Sequence, residues 1–321
     1  MTSRLVLTRR EVLTAIPLAF VAAACTKSAG KPPPGPSPSP GSIDAIKLGA
    51  TELSLLQAQS ELTTGKSLFS FGLTTQDGKL LLGGSPSAYA AQDPAAPGAL
   101  GPFTATSYKF TAGDVFKDNA PRSALTGFYV AEVDLPKPGS WTVAAVATLA
   151  SARAVGVGLV TVVARPTVAP IGSKALSTKT PVATTTDALK QICTRDPPDT
   201  MHYVSLDKAL MSGKPTVVVF STPLLCESRM CGPVTDEVYA LFKGMGAARA
   251  NFIHVEEFLP GPTLTPPPAT EENQSPPFRA WHLLTEPWTF VIDGRGIIRA
   301  RFEGPVVASE IAAALQPLLA S

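Results

Sequence analysis

Lys214-Pro215-Thr216-Val217-Val218-Val219-Phe220-Ser221-Thr222-Pro223-Leu224-Leu225-Cys226-Glu227-Ser228-Arg229-Met230-Cys231-Gly232-Pro233 is a buried strand that runs into a short loop holding two cysteines. A continuous apolar run bounded by turn residues suits a strand covered on both faces. Pro233 sits where a first-turn proline belongs, ahead of Val234, Val238, Leu241 and Phe242 at helical spacing. Gly232 and Pro233 place the helix start after Cys231, which leaves both thiols at a strand-to-helix turn. Such a pair points to redox chemistry or to metal binding. Within regular helix, residues five apart stand beyond the roughly 7 Å Cα separation that a disulfide tolerates, so this loop must be irregular for the sulfurs to meet.

Working outward, the flanks divide the chain. Its 321 residues suffice for two ordinary domains plus connecting segments. With 16% charged residues and a formal net charge of +2, it carries no electrostatic footprint for nucleic acid. Arg4, Arg9 and Arg10 precede an apolar run from Val12 to Ala24 that is too short to span a bilayer, the pattern of an export signal over 1–25. Thr8-Arg9-Arg10-Glu11-Val12-Leu13 resembles a twin-arginine signal, and Ala22-Ala23-Ala24-Cys25 resembles a bacterial lipobox with Cys25 as the lipidated residue. Residues 26–43 form a proline-rich tether. Its extended run from Lys31 to Gly41, at about 3.1 Å per residue, would hold the folded part roughly 30 Å from its anchor. A second Pro/Ser/Thr/Lys-rich stretch, 167–187, reads as a linker between a segment at 44–166 and one at 188–321.

The segment 44–166 reads as all-β, with strands at Ser67 to Thr74, Lys79 to Leu82, Phe103 to Phe110, Phe128 to Leu135, Trp141 to Leu149 and Val155 to Val163. This spacing resembles an immunoglobulin-like sandwich, with Trp141 as a core residue. Some small extracytoplasmic sandwiches bind copper. Between Thr26 and Ile192, however, there is no Cys, His or Met, so the soft ligands are missing. A spacer or protein-binding module is the reading that remains.

The segment 188–321 resembles the thioredoxin fold, and within it the TlpA-type extracytoplasmic proteins. Asn251 to Glu256 reads as a second strand, followed by a long proline-rich excursion. Pro287-Trp288-Thr289, Asp293-Gly294 and Gly304 then match the family's cis-proline strand, hairpin turn and closing glycine. Ile311, Leu315 and Leu318 line a last helix. The chain as a whole is therefore identified with extracytoplasmic lipoproteins that join an all-β immunoglobulin-like domain to an α/β thioredoxin fold.

The resemblance implies thiol-disulfide exchange with exported protein thiols or disulfides. Cys226 would be the attacking thiolate and Cys231 the resolving thiol. Pro287, Glu286 and Arg229 would flank the substrate. Three departures accompany it. The pair is C-x4-C after Leu225 rather than C-x2-C after tryptophan. Val219 stands where the family keeps a buried acid. Glu286 before Pro287 would oppose a thiolate that Arg229 and the helix N-terminus favour. Two alternatives stay open. One is a non-catalytic, partner-binding lipoprotein whose disulfide is a staple. The other is a Cu(I)-binding protein like the Sco chaperones, using Cys226, Cys231 and one histidine. His254, within an apolar strand, reads as a core residue, and His202 and His282 offer no better spacing. Cys193 is left over, as a third redox thiol or a passive buried one. No resident cofactor or metal is expected.

Overall fold

The computed structural model describes residues 37–112, 125–226, 228–259 and 270–319. The signal segment 1–25 with Cys25, residues 26–36 of the tether, Glu227 and most of the proline-rich excursion after 259 lie outside the described residues. Pro38–Ser321 forms one compact unit. The Ser42 hydroxyl accepts from the Ala45 N–H at 3.1 Å and caps the short helix α1 (Ile43–Lys47).

Nine strands follow: β1 (Thr51–Gln57), β2 (Leu62–Thr63), β3 (Gly65–Thr74), β4 (Leu80–Leu81), β5 (Ser87–Ala91), β6 (Leu100–Lys109), β7 (Gly127–Leu135), β8 (Gly139–Leu149) and β9 (Ala152–Val163). All belong to one sheet. Its path runs β1-β3-β7-β6-β5-β8-β9, and β9 pairs back onto β1 in parallel, from Thr51 opposite Ala154 to Ser54 opposite Val157. The expected two-sheet sandwich is thus replaced by a seven-stranded sheet closed on itself. The strand that closes it is β1, whose sequence shows no clean alternation. It uses both of its edges, pairing with β9 through Thr51–Ser54 and with β3 through Ser54–Gln57. Gly156 on β9 lets this happen, because a Cβ there would stand 2.8 Å from Leu73 Cδ2 and 3.2 Å from Leu55 Cβ. Inside lie Phe69, Phe71 and Tyr129, stacked in sequence at 5.0 and 5.6 Å between ring centroids. Trp141 is buried beside them and donates its indole N–H to Lys137 O at 2.9 Å, as a core tryptophan should.

The second sheet has strand order β11-β10-β12-β13. Its strands are β10 (Thr216–Phe220), β11 (Asn251–Val255), β12 (Trp288–Ile292) and β13 (Ile298–Glu303). β10 and β11 are parallel, while β12 runs antiparallel to both β10 and β13. Five helices accompany them: α2 (Thr186–Leu189), α3 (Leu206–Ala209), α4 (Cys231–Met245), α5 (Pro276–Ala280) and α6 (Ala308–Leu315). Strand, helix, parallel strand, antiparallel hairpin and closing helix come in the order that the thioredoxin resemblance implies. The Glu286–Pro287 peptide is cis, and Asp293 holds the hairpin turn by accepting from the Arg295 and Ile297 N–H groups, both at 2.9 Å.

β10 is apolar throughout because both of its faces are covered. Val218 and Phe220 pack with Phe278, Trp281, Trp288 and Phe290 on one side, whereas Val217 and Val219 pack with Val234, Val238 and Ile311 on the other. The stretch read as a linker is docked as well. Val168 and Ala175 are buried in the first of these clusters, and Gly172 and Ile298 are tied through Gly172 N to Ile298 O at 2.9 Å and Ile298 N to Ser173 O at 3.0 Å. Arg301 donates to Val168 O at 2.6 Å. Proline, serine and threonine signal an irregular path, but they do not show whether that path touches a sheet.

The two sheets meet through buried acids. Glu237 on α4 is fully buried and accepts from the N–H groups of Thr111, Ala112 at 2.7 Å and Ala308 at 2.8 Å. Glu303 at the end of β13 accepts from Ser60 N and Thr285 Oγ1, both at 2.7 Å. Gly304 then passes close to Ala58 with φ +82°.

Candidate functional site

β10 ends at Phe220, and the chain turns through Thr222 to Leu225, where the Cys226 N–H bonds Thr222 O at 3.1 Å. The Arg229 N–H bonds Cys226 O at 3.1 Å, and Arg229 itself takes φ +58°, a left-handed conformation unusual for a side chain of this size. Helix α4 starts at Cys231, one residue earlier than Gly232 and Pro233 imply. Cys226 is therefore outside the helix, as the irregular loop required, and its sulfur faces the helix N-terminus. The Cys231 N–H donates to Cys226 Sγ at 3.4 Å, and Ser228 Oγ lies 3.1 Å from the same sulfur.

The two thiols are unequal. Cys226 is partly exposed and Cys231 fully buried. The Cys231 thiol, the Ser228 hydroxyl and the backbone N–H groups of Cys231 and Met230 all donate to Cys226, and against the opposing cost of burial they bring its pKa down to about 6. Burial, the hydrogen bond to Cys226 and the nearby Glu286 push Cys231 well above the usual thiol range. One sulfur is thus a thiolate at neutral pH, and the other keeps its proton.

Glu286 completes the group. Its carboxylate and the two sulfurs lie within 4.8 Å of one another, and Glu286 Oε2 is buried without a hydrogen-bond partner. The expectation that Glu286 opposes the thiolate needs correction. Burial first, then the Cys226 charge and the neighbouring Glu257, raise this carboxyl to about 9, so at neutral pH it is a neutral acid. Pro287 follows on the cis bond at the start of β12. Arg229 is exposed, and the largest contributions to the low Cys226 pKa come from short-range donors rather than from this cation.

Glu257, just past β11, was not singled out from sequence. Burial raises it to about 7, Gln274 donates to it at 2.7 Å, and its own N–H bonds Thr222 Oγ1 at 2.8 Å. The signal was available: Glu256-Glu257 ends an apolar strand with two acids, where at most one can face solvent by alternation. With Val219 at the family's acid position, the carboxyls near the thiols come instead from the strand ends on either side of β10.

A second cluster forms at the β11 edge of the sheet, next to β10. Cys193, Asp199, His202 and His254 are all buried, with one ligand atom from each within 4.8 Å of every other. His254 is a core histidine in burial, as expected, but it faces polar partners: Asp199 Oδ2 at 2.8 Å from Nδ1, and Ser221 O at 3.0 Å from Nε2. His282 is exposed. Among the described residues no histidine joins Cys226 and Cys231, so the copper alternative lacks its imidazole at this pair. A surface cleft of about 330 Å³, lined by Gln59, Trp288, Arg301 and Glu303 among others, contains neither cysteine group.

No family model matches the chain, and no curated protein matches it. Two solved structures are similar in part. A thioredoxin-family thiol:disulfide interchange protein from Chlorobium tepidum TLS superposes with a TM-score of 0.26 and 20% identity, covering 46% of this chain and 99% of that one. Titin M4 superposes with a TM-score of 0.17 and 10% identity over 35% of this chain and 93% of that one. Both scores are low, and the functional reading rests on the geometry of the site.

Proposed function

We propose that this protein is a lipid-anchored, extracytoplasmic thiol-disulfide exchange protein acting on exported proteins through Cys226 and Cys231. The observation that carries the reading is the asymmetry of the pair: a partly exposed sulfur held as a thiolate by the Cys231 thiol, the Ser228 hydroxyl and the Cys231 N–H, beside that buried thiol within 4.8 Å. Disulfide exchange needs this division of labour.

The Cys226 thiolate attacks one sulfur of a substrate disulfide, forming a mixed disulfide and releasing one substrate thiolate. Cys231 then gives up its proton and attacks Cys226, which releases the second substrate sulfur and leaves the Cys226–Cys231 disulfide. Two electrons have passed to the substrate with the single proton of Cys231, and any further proton that the released substrate thiolates need comes from solvent. Run backwards, the same steps oxidise a substrate dithiol, and an external dithiol or disulfide resets the pair. Glu257, at about 7, can take up the proton that Cys231 must lose, and Glu286, held as a neutral acid, can return one when the pair is reduced again. Arg229, exposed beside the pair, and Pro287, which lacks an N–H, flank the surface where a substrate segment would lie. The closed β-sheet serves as spacer or protein-binding module. Outward attachment through Cys25 is supported by the arginine-rich start, the short apolar run and Ala22-Ala23-Ala24-Cys25.

Trapping tests the reading. Cys231→Ser should accumulate mixed disulfides with a disulfide-bonded protein through Cys226, and the further change Cys226→Ser should abolish them. If Cys231→Ser traps nothing, or the pair has a reduction potential below about −300 mV, the disulfide is a staple and the partner-binding alternative stands.

A further inference from the structure

The cluster of Cys193, Asp199, His202 and His254 takes no part in the exchange chemistry, and we propose that it binds a divalent transition ion of the zinc class. The donor set is one thiolate sulfur, one carboxylate oxygen and two imidazole nitrogens, which suits zinc and not the all-oxygen shells of calcium or magnesium. Tetrahedral ligands about 2.0–2.3 Å from a zinc ion stand roughly 3.3–3.8 Å from one another. Here Cys193 Sγ lies 3.3 Å from Asp199 Oδ2 and 3.8 Å from His254 Nδ1, His202 Nε2 lies 3.7 Å from the other carboxylate oxygen, Asp199 Oδ1, and one ligand atom from each of the four residues lies within 4.8 Å of the rest. The Asp199 to His254 contact, at 2.8 Å, would open slightly around an ion.

Two independent observations point inward. His202 Nε2 is buried without a hydrogen-bond partner, a condition that natural interiors avoid. His254 presents Nδ1 to the cluster while Nε2 faces Ser221 O at 3.0 Å and Ser221 Oγ at 3.1 Å. Metal-binding histidines are oriented in this way, with the far ring nitrogen donating to a carbonyl or hydroxyl. Charge agrees as well. A thiolate, a carboxylate and two neutral imidazoles sum to −2, which a dication cancels among the four ligands, with buried Glu256 Oε1 3.5 Å from His254 Nε2 just outside them.

The ion would hold together a segment with little regular structure of its own. Cys193, Asp199 and His202 come from one loop between α2 and α3, and His254 comes from the edge strand β11. Glu256, also on this edge, holds the same loop by accepting from Thr194 N at 2.6 Å and Thr194 Oγ1 at 2.8 Å. This role is structural and independent of the exchange reading.

Cobalt substitution tests it. In the full chain carrying Cys25→Ser, Cys226→Ser and Cys231→Ser, Cys193 is the one remaining thiol. Titration with Co²⁺ should give one bound equivalent, a thiolate-to-cobalt charge-transfer band and the intense ligand-field bands of tetrahedral cobalt. Zinc should displace it. His202→Ala should weaken binding by more than about tenfold, while His282→Ala should leave it unchanged. A readout that needs no histidine variant is the thermal midpoint of the unaltered chain, which a saturating zinc concentration should raise by several degrees over a chelator-treated sample. Absence of the charge-transfer band, a band indifferent to His202→Ala in a folded variant, or a midpoint indifferent to both zinc and chelator would overturn the proposal.

Discussion

Replacing Cys231 by alanine should raise the pKa of Cys226 and slow its reaction at acidic pH. In the native chain Cys226 titrates near 6, and the first cause is the hydrogen bond from the Cys231 thiol, ahead of the Ser228 hydroxyl and the backbone N–H groups. The Cys231 N–H belongs to the backbone and survives the substitution, so only the S–H donor is lost. A hydrogen bond to a charged acceptor is worth about 1.5–3 kcal/mol net, and one pKa unit corresponds to about 1.4 kcal/mol, so the midpoint should climb by one to two units. The assay is the rate of alkylation of Cys226, resolved by peptide mass, from pH 4 to 10. Native protein should show a midpoint near 6, with the rate at pH 5 about one tenth of its plateau. Cys193 should stay unmodified on this timescale, since it is buried away from the reagent. A native midpoint at 8 or above would refute the thiolate argument. An unshifted midpoint in the alanine variant would remove Cys231 as the stabilising donor.

Glu286→Gln should change how stability depends on pH. Burial holds this carboxyl at about 9, far above its unfolded value, so its contribution favours the fold at pH 4 and is lost as pH rises toward 9. The glutamine variant should therefore melt like the native chain at pH 4 and be more stable at pH 8, by on the order of 2 kcal/mol once partial hydration is allowed for; parallel melting curves at both pH values would contradict this. Gly304→Ala should cost roughly 2–3 kcal/mol in urea denaturation, because alanine would have to adopt φ +82° with its Cβ 2.8 Å from Ala58 Cβ and 3.0 Å from Ala58 O. A loss under about 0.5 kcal/mol would mean that the two sheets do not meet closely there. Cys25→Ser should move the protein from the membrane fraction to the soluble extracytoplasmic fraction, and a variant that stays on the membrane would refute attachment through that residue.

Sequence alone determined the elements whose signal is local. The apolar run of β10, the first-turn proline of α4, the Asp293-Gly294 turn and six of the nine strands of the first sheet are written in periodicity and turn chemistry. So is the pair Cys226 and Cys231 at a strand-to-helix turn. The tertiary structure decided what depends on distant partners. β1 and β5 lack a strong strand pattern and exist because neighbours pair with them, and β1 alone turns an expected sandwich into a closed sheet. The protonation of Glu286 is set by burial, which no local pattern reports. Cys193, Asp199 and His202 lie ten residues or fewer apart, yet their fourth companion, His254, is more than fifty residues on. A cluster of this kind forms only when a loop is laid against a sheet edge, because side-chain proximity there is a property of packing and not of spacing.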